Sequence, residues 1–145
     1  MATPVIPDEG KSNIGGQLLK RITAGGQNCL VHLFANPITP NAATVLGDLV
    51  EASFDGYAPV QLLGPVDAGV DIDDNDVWIL EPVSWLVTGP GGLPTVVYGY
   101  WVDCDSAFVP STKLLWVKAL DVPLGLSALG QSFQFVPSVS FGQLA

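Results

Sequence analysis

In the run DAGVDIDDND, Asp67 to Asp76, the residues Asp71, Asp73 and Asn75 stand at alternate positions. That is the spacing at which a calcium loop sets its first three oxygen ligands. Such a loop also needs a glycine at its sharp turn and a bidentate glutamate at its close, and here Asp76 and Pro82 hold those places. The motif fails at both, so the run is expected to be a solvated acidic loop with no bound metal. His32 is the sole histidine. An imidazole becomes a general base when a nucleophile sits beside it, but the flanking run CLVHLFA, Cys29 to Ala35, is apolar and reads as a strand holding a core or interface histidine. Zinc needs more histidine or cysteine ligands than this chain supplies.

The run GLSALG, Gly125 to Gly130, departs from the nucleophile elbow because its second glycine falls one residue late. No glycine pattern matches a phosphate or dinucleotide loop. Glycoside cleavage would require two of the fourteen acids to meet in space, a pairing that no spacing here specifies. Trp78, Trp85, Tyr98, Tyr100, Trp101 and Trp116 could stack against sugars, yet at alternating strand positions they read first as the core of a small β domain. No catalytic, cofactor-binding or metal-ligating residue is assigned, and the chain is not expected to be an enzyme.

The composition points to surfaces instead. Hydrophobic residues make up 48% of the 145 and charged residues only 13%, against about 25% charged in ordinary globular chains. The longest apolar runs, such as Val77 to Leu80, fall far short of the roughly 20 residues of a spanning helix, so no membrane partner is expected. The first twelve residues, MATPVIPDEGKS, lack the basic and apolar regions of a secretion signal. Excess apolar surface then implies protein neighbours. A net charge of −9 with five scattered basic residues excludes nucleic acid as the main partner. Cys29 and Cys104 lie far apart at no recognisable spacing, and two reduced, buried thiols are expected.

These side chains need elements to hold them. Sixteen glycines and twelve prolines punctuate the chain throughout, as in many short strands joined by turns. Residues 1–13 read as an extended arm, with a short helix over Ser12 to Ile22, and residues 14–145 as one β-rich domain. Thr39 followed by Pro40 is an N-cap and first-turn proline, predicting a brief helix to about Gly47 with Val45 and Leu49 facing the core. In VEASF, Val50, Ala52 and Phe54 alternate with Glu51 and Ser53, and DGYAP supplies a corner before a short return strand. An acidic loop over Gly64 to Asp76 follows, then strands at Val77 to Val87, Thr95 to Val102, Lys113 to Leu120 and Gln131 to Val139. TGPGGLP is expected to join the first two of these as a hairpin. In the third, Leu114, Trp116 and Lys118 should oppose Leu115, Val117 and Ala119. Both faces of these strands are largely apolar, so the expected fold is a single β-sandwich or jelly-roll-like domain with one or two short helices, and with outer faces buried on other subunits.

The segment LVHLFANPITPNAATVLGDLVEASFDGYAPVQL, Leu30 to Leu62, resembles a group of small virion accessory proteins of tailed bacteriophages. VVYGYWV, Val96 to Val102, and FVPSVSFG, Phe135 to Gly142, are similar to that group's ending. The arm, the acidic loop and TGPGGLP depart from the pattern. The resemblance implies a structural component of head or tail; we read it as a capsid decoration, or cement, protein in the virion, assembled in the host cytoplasm. Its expected partners are the major capsid protein and copies of itself, as a homotrimer suited to three-fold seats in a shell, with the arm from Met1 to Asn13 as a strap. The alternative is a tail-associated or surface module binding host carbohydrate through its aromatics.

Overall fold

The computed structural model describes residues 4–5, 28–62, 67–70, 76–106 and 109–140. The chain is mostly β, in antiparallel sheets with a sandwich-like arrangement. The main sheet has the order β2-β1-β6-β7, built from β1 (Asn28–Phe34), β2 (Val60–Gln61), β6 (Thr95–Ser106) and β7 (Val109–Leu126). A second sheet has the order β3-β4-β9, from β3 (Asp67–Val70), β4 (Asp76–Ile79) and β9 (Ser138–Ser140), and β5 (Val83–Leu86) pairs β8 (Ser132–Phe135). Among the described residues no helix is long and apolar enough to cross a membrane.

Two prolines divide the smaller sheets. The apolar run from Val77 to Val87 is two strands, β4 and β5, because Pro82 has no N–H to give a ladder. Pro137 separates β8 from β9 in the same way, and the two breaks lie level, with Leu80 donating its N–H to the Pro137 carbonyl at 2.9 Å. Pairing is therefore β5 with β8 and β4 with β9. The predicted TGPGGLP hairpin is not formed: β5 pairs β8 while β6 pairs β1 and β7, so the loop crosses between sheets. Asp55 holds it there, accepting the Gly91 N–H on its carboxylate at 2.9 Å and donating its own N–H to the Gly91 carbonyl at 3.0 Å. Nor is Gly64 to Asp76 wholly a loop. Asp67–Val70 pairs with Asp76–Ile79, while Asp71, Asp73 and Asn75 lie outside the described residues.

The main core lies between the four-stranded sheet and the β5–β8 pair. It joins Cys29, Val31 and Leu33 of β1, Tyr100 and Val102 of β6, Leu115 and Trp116 of β7, and Val83 and Trp85 of β5. Aromatic stacking ties the layers, Trp85 on Phe133 and Phe135 with ring centroids 5.5 Å apart, and Phe135 on Tyr100 at 4.6 Å. The strict alternation expected along Lys113 to Leu120 gives way to a bulge. Val102 faces Trp116 and Asp103 faces Leu114, which leaves Leu115 as the extra residue. Leu115 and Trp116 thus both join the main core, while Leu114 and Val117 turn to the opposite face.

That opposite face has a smaller core of Phe34, Leu49, Trp101, Leu114 and Val117, with Val5, Ile38, Leu46 and Tyr98 packed against it. Its cover is the segment between β1 and Glu51. The helix expected from Thr39 is a single 3-10 turn, Leu46–Asp48. Side chains compete for the backbone before it: Asn41 Oδ1 accepts the Ala43 N–H and Thr44 Oγ1 accepts the Asn41 N–H, both at 2.8 Å. Asp48 then caps the turn, accepting the Val45 N–H at 3.0 Å. In VEASF the predicted alternation holds for Ala52 and Phe54, which are buried, and for Glu51 and Ser53, which are exposed. Val50 is instead exposed.

At the sheet's far edge, Val5 exchanges two backbone hydrogen bonds with Val117, so this part of the expected arm lies on its own domain. Apart from residues 4–5, the arm from Met1 to Asn13 and the helix predicted for Ser12 to Ile22 lie outside the described residues. The expectation of two reduced thiols is overturned. Cys29 is disulfide-bonded, the chain's other cysteine is Cys104, and their Cα atoms stand directly opposite in the β1–β6 register. The residues are distant in sequence, and only strand pairing brings them together.

Candidate functional site

Period-two alternation sends Val31 and Leu33 into the main core and turns His32 to the opposite face with Phe34. The β1–β6 register sets His32 directly across from Trp101. Opposed residues share a face in an antiparallel pair, and the imidazole stacks flat on the indole, with centroids 4.7 Å apart and planes 1° from parallel. Two residues on, the buried Asp103 accepts the Trp101 indole N–H on Oδ2 at 3.0 Å. The same oxygen lies 3.0 Å from His32 Nε2, a close charge contact in which the ring nitrogen is not aligned for a hydrogen bond.

The other side of the ring meets the covering segment. Glu51 bridges Phe34 through the backbone, and its Oε1 lies 2.7 Å from His32 Nδ1. The Tyr57 hydroxyl donates to that same oxygen at 2.7 Å and accepts the Leu33 N–H at 3.1 Å. Tyr57 arrives because Gly56, at φ 94°, turns the chain back after Phe54. A side chain at Gly56 would run into the Leu86 carbonyl oxygen.

Burial alone would press the His32 pKa below its ordinary 6.5, but the Asp103 and Glu51 carboxylates against its two ring nitrogens outweigh it, and the ring titrates above that value. Burial raises the Tyr57 pKa, and the Glu51 carboxylate beside it adds to the rise, so the hydroxyl remains a donor. These groups open onto a hollow of about 380 Å³ lined by Leu30, His32, Leu46, Leu49, Glu51, Trp101 and Asp103. A hollow of about 620 Å³ over β5 and β8 is lined by Ser84, Trp85, Leu86, Ser132, Phe133 and Gln134, and carries no charged group.

A histidine beside a carboxylate is two parts of a catalytic triad. Here both ring nitrogens face carboxylates, which leaves no lone pair turned to a substrate proton. The leucines beside it bring no nucleophile. The arrangement is an electrostatic clamp between β1, β6 and the covering segment. Because the ring stands between Glu51 and Asp103, the two carboxylates do not converge, and among the described residues no group of three or more His, Cys, Asp or Glu could hold a metal.

Sequence reasoning placed His32 in a strand of the core or an interface, but gave it no cleft. Its partners were not visible because Glu51, Tyr57 and Asp103 are joined to it only by register and by the Gly56 corner. The one local signal is the alternate spacing of Trp101 and Asp103. Of the aromatics weighed as a sugar platform, Trp85, Tyr100, Trp101 and Trp116 are buried and Tyr98 is half-buried; the Trp78 side chain lies outside the description. Of Gly125 to Gly130, the first two residues end β7 and the rest form a turn in which Gln131 Oε1 accepts the Ser127 and Ala128 N–H groups at 2.7 and 2.8 Å. No protein-family model, curated protein or solved structure matches the chain.

Proposed function

We propose that this chain is an accessory structural protein of a bacteriophage virion, a head-decoration or cement protein that binds across neighbouring subunits of the major capsid protein. The observation that carries the reading is the surface. Val45, Val50, Leu86, Val122, Leu129 and Val136 are 46 to 78% exposed on a domain whose core is already filled. Isolated apolar residues on a surface are ordinary, but Val45 and Val50 adjoin Leu46 and Leu49, which line the His32 hollow, and a neighbour seated there could bury them together. The buried aromatics and the occupied histidine favour a mechanical role, and the net charge of −9 keeps free copies apart before assembly.

In this reading the chain acts as a symmetric homotrimer at three-fold seats, and its contribution is thermodynamic. A ligand that binds only the assembled shell stabilises it in proportion to the logarithm of ligand concentration over Kd. Adding the purified chain to undecorated shells should therefore raise the temperature at which they open, and the gain should saturate at a fixed copy number per shell. Shells that neither bind the chain nor gain thermal resistance would overturn the role.

A further inference from the structure

The hollow on the outer face of the main sheet has a composition that selects its occupant. Its walls are aliphatic, from Leu30, Leu46 and Leu49. Glu51 stands at its mouth with its side chain 43% exposed, and Asp103 lies buried in its floor. Asp48, in the covering turn, is also exposed. Two carboxylates thus flank one imidazole, and the local charge stays negative with His32 protonated. Val45 and Val50, next in sequence to Leu46 and Leu49, are exposed. An aliphatic wall leading to a carboxylate fits a side chain with an apolar stem and a cationic head.

We propose that this hollow is a docking surface for a protein partner that presents an arginine or lysine side chain within an apolar segment. The alkyl stem lies along Leu46 and Leu49, and the cationic head reaches the Glu51 carboxylate. Flanking apolar residues of the partner cover Val45 and Val50. Charge complementarity sets the choice, since an acidic segment would be repelled and a purely apolar one would desolvate the exposed Glu51 carboxylate while bringing no cation to it. The inference rests on the assembly role above for the partner's identity, as a shell subunit, and not for its chemistry.

Two measurements separate the two claims. Titrating the isolated full chain with the peptides acetyl-Val-Leu-Arg-Leu-Val-amide, its glutamine counterpart and its glutamate counterpart, followed by the Trp101 indole N–H resonance, tests the surface alone. The arginine peptide should shift that resonance and the other two should not. Glu51→Gln, which keeps an acceptor for Tyr57 and His32, should weaken binding about tenfold, while the distant Glu81→Gln, an equal change in net charge, should leave it unchanged. Equal binding of the three peptides, or an undiminished affinity in Glu51→Gln, overturns the proposal, as does self-association of the chain that is blocked by Val50→Glu, since the occupant would then be a second copy. Occupancy on purified shells is the second measurement. Wild-type occupancy by folded Glu51→Gln and Val50→Glu variants overturns the docking surface while the assembly role stands. Absence of the wild-type chain from shells removes the assembly role, and the peptide titration then decides the surface by itself.

Discussion

Glu51 Oε1 serves His32 and Tyr57 at once, and Asp103 Oδ2 serves Trp101 while touching the same imidazole. The clamp is strongest with His32 protonated, and its pH dependence has a definite sign. The folded pKa lies above 6.5, so the stabilisation is complete below the unfolded value and is lost as the pH rises through the folded one. Melting temperatures of wild type and His32→Asn should differ most near pH 5.5 and converge toward pH 9; a difference that widens with pH would contradict the clamp. Gly99 is the second residue whose role is geometric. It pairs with Phe34, and a Cβ there would meet the Phe34 ring and the Lys118 carbonyl oxygen. Gly99→Ala should lower stability by about 1–3 kcal/mol, as overpacking does, measurable by urea denaturation; an unchanged midpoint would mean that the ring moves aside freely. Neither role was legible in the sequence. Each depends on which residue lies across a strand pair, and periodicity reports a residue's face but not its partner.

Elements were more legible than partners. Alternating apolar residues marked β1, β6 and β7, since a strand buried on both faces leaves a long run of valine, leucine and aromatic residues. Boundaries failed where backbone chemistry acts locally. Pro82 and Pro137 divided two predicted strands, and Asn41 with Thr44 drew the backbone out of the helix predicted from Thr39. Pairing failed for TGPGGLP because a hairpin and a crossover have the same turn residues. The disulfide at Cys29 belongs to this scale as well, because the β1–β6 register alone sets the two cysteines opposite each other. It closes a long loop that takes in the covering segment, β2 and the β3–β5 region. Reduction should therefore lower stability by about 4 kcal/mol, seen as a fall in the unfolding midpoint with a thiol reductant. A midpoint indifferent to reductant would mean that the bond constrains the unfolded chain very little.

At the scale of the whole molecule, the glycine and proline punctuation pointed to a mostly β chain and the strands apolar on both sides to buried faces, and the fold explains where that apolar content goes. One side of the main sheet is filled by β5 and β8, the other by the segment that carries Leu46 and Leu49 and by Val5 at the edge. Among the described residues, a set of valines and leucines stays exposed, two of them next in sequence to the leucines of an acid-lined hollow. The hollow itself was invisible in the sequence, since it is assembled from β1, β6 and the covering segment. A decoration role turns this surface toward a shell. The most direct measurement is imaging of the intact particle at a resolution that traces this chain. Three copies are expected around each three-fold seat on the head, with Val45, Val50 and Glu51 against capsid subunits. Density for the chain at the tail alone, or a head surface without it, would contradict that claim.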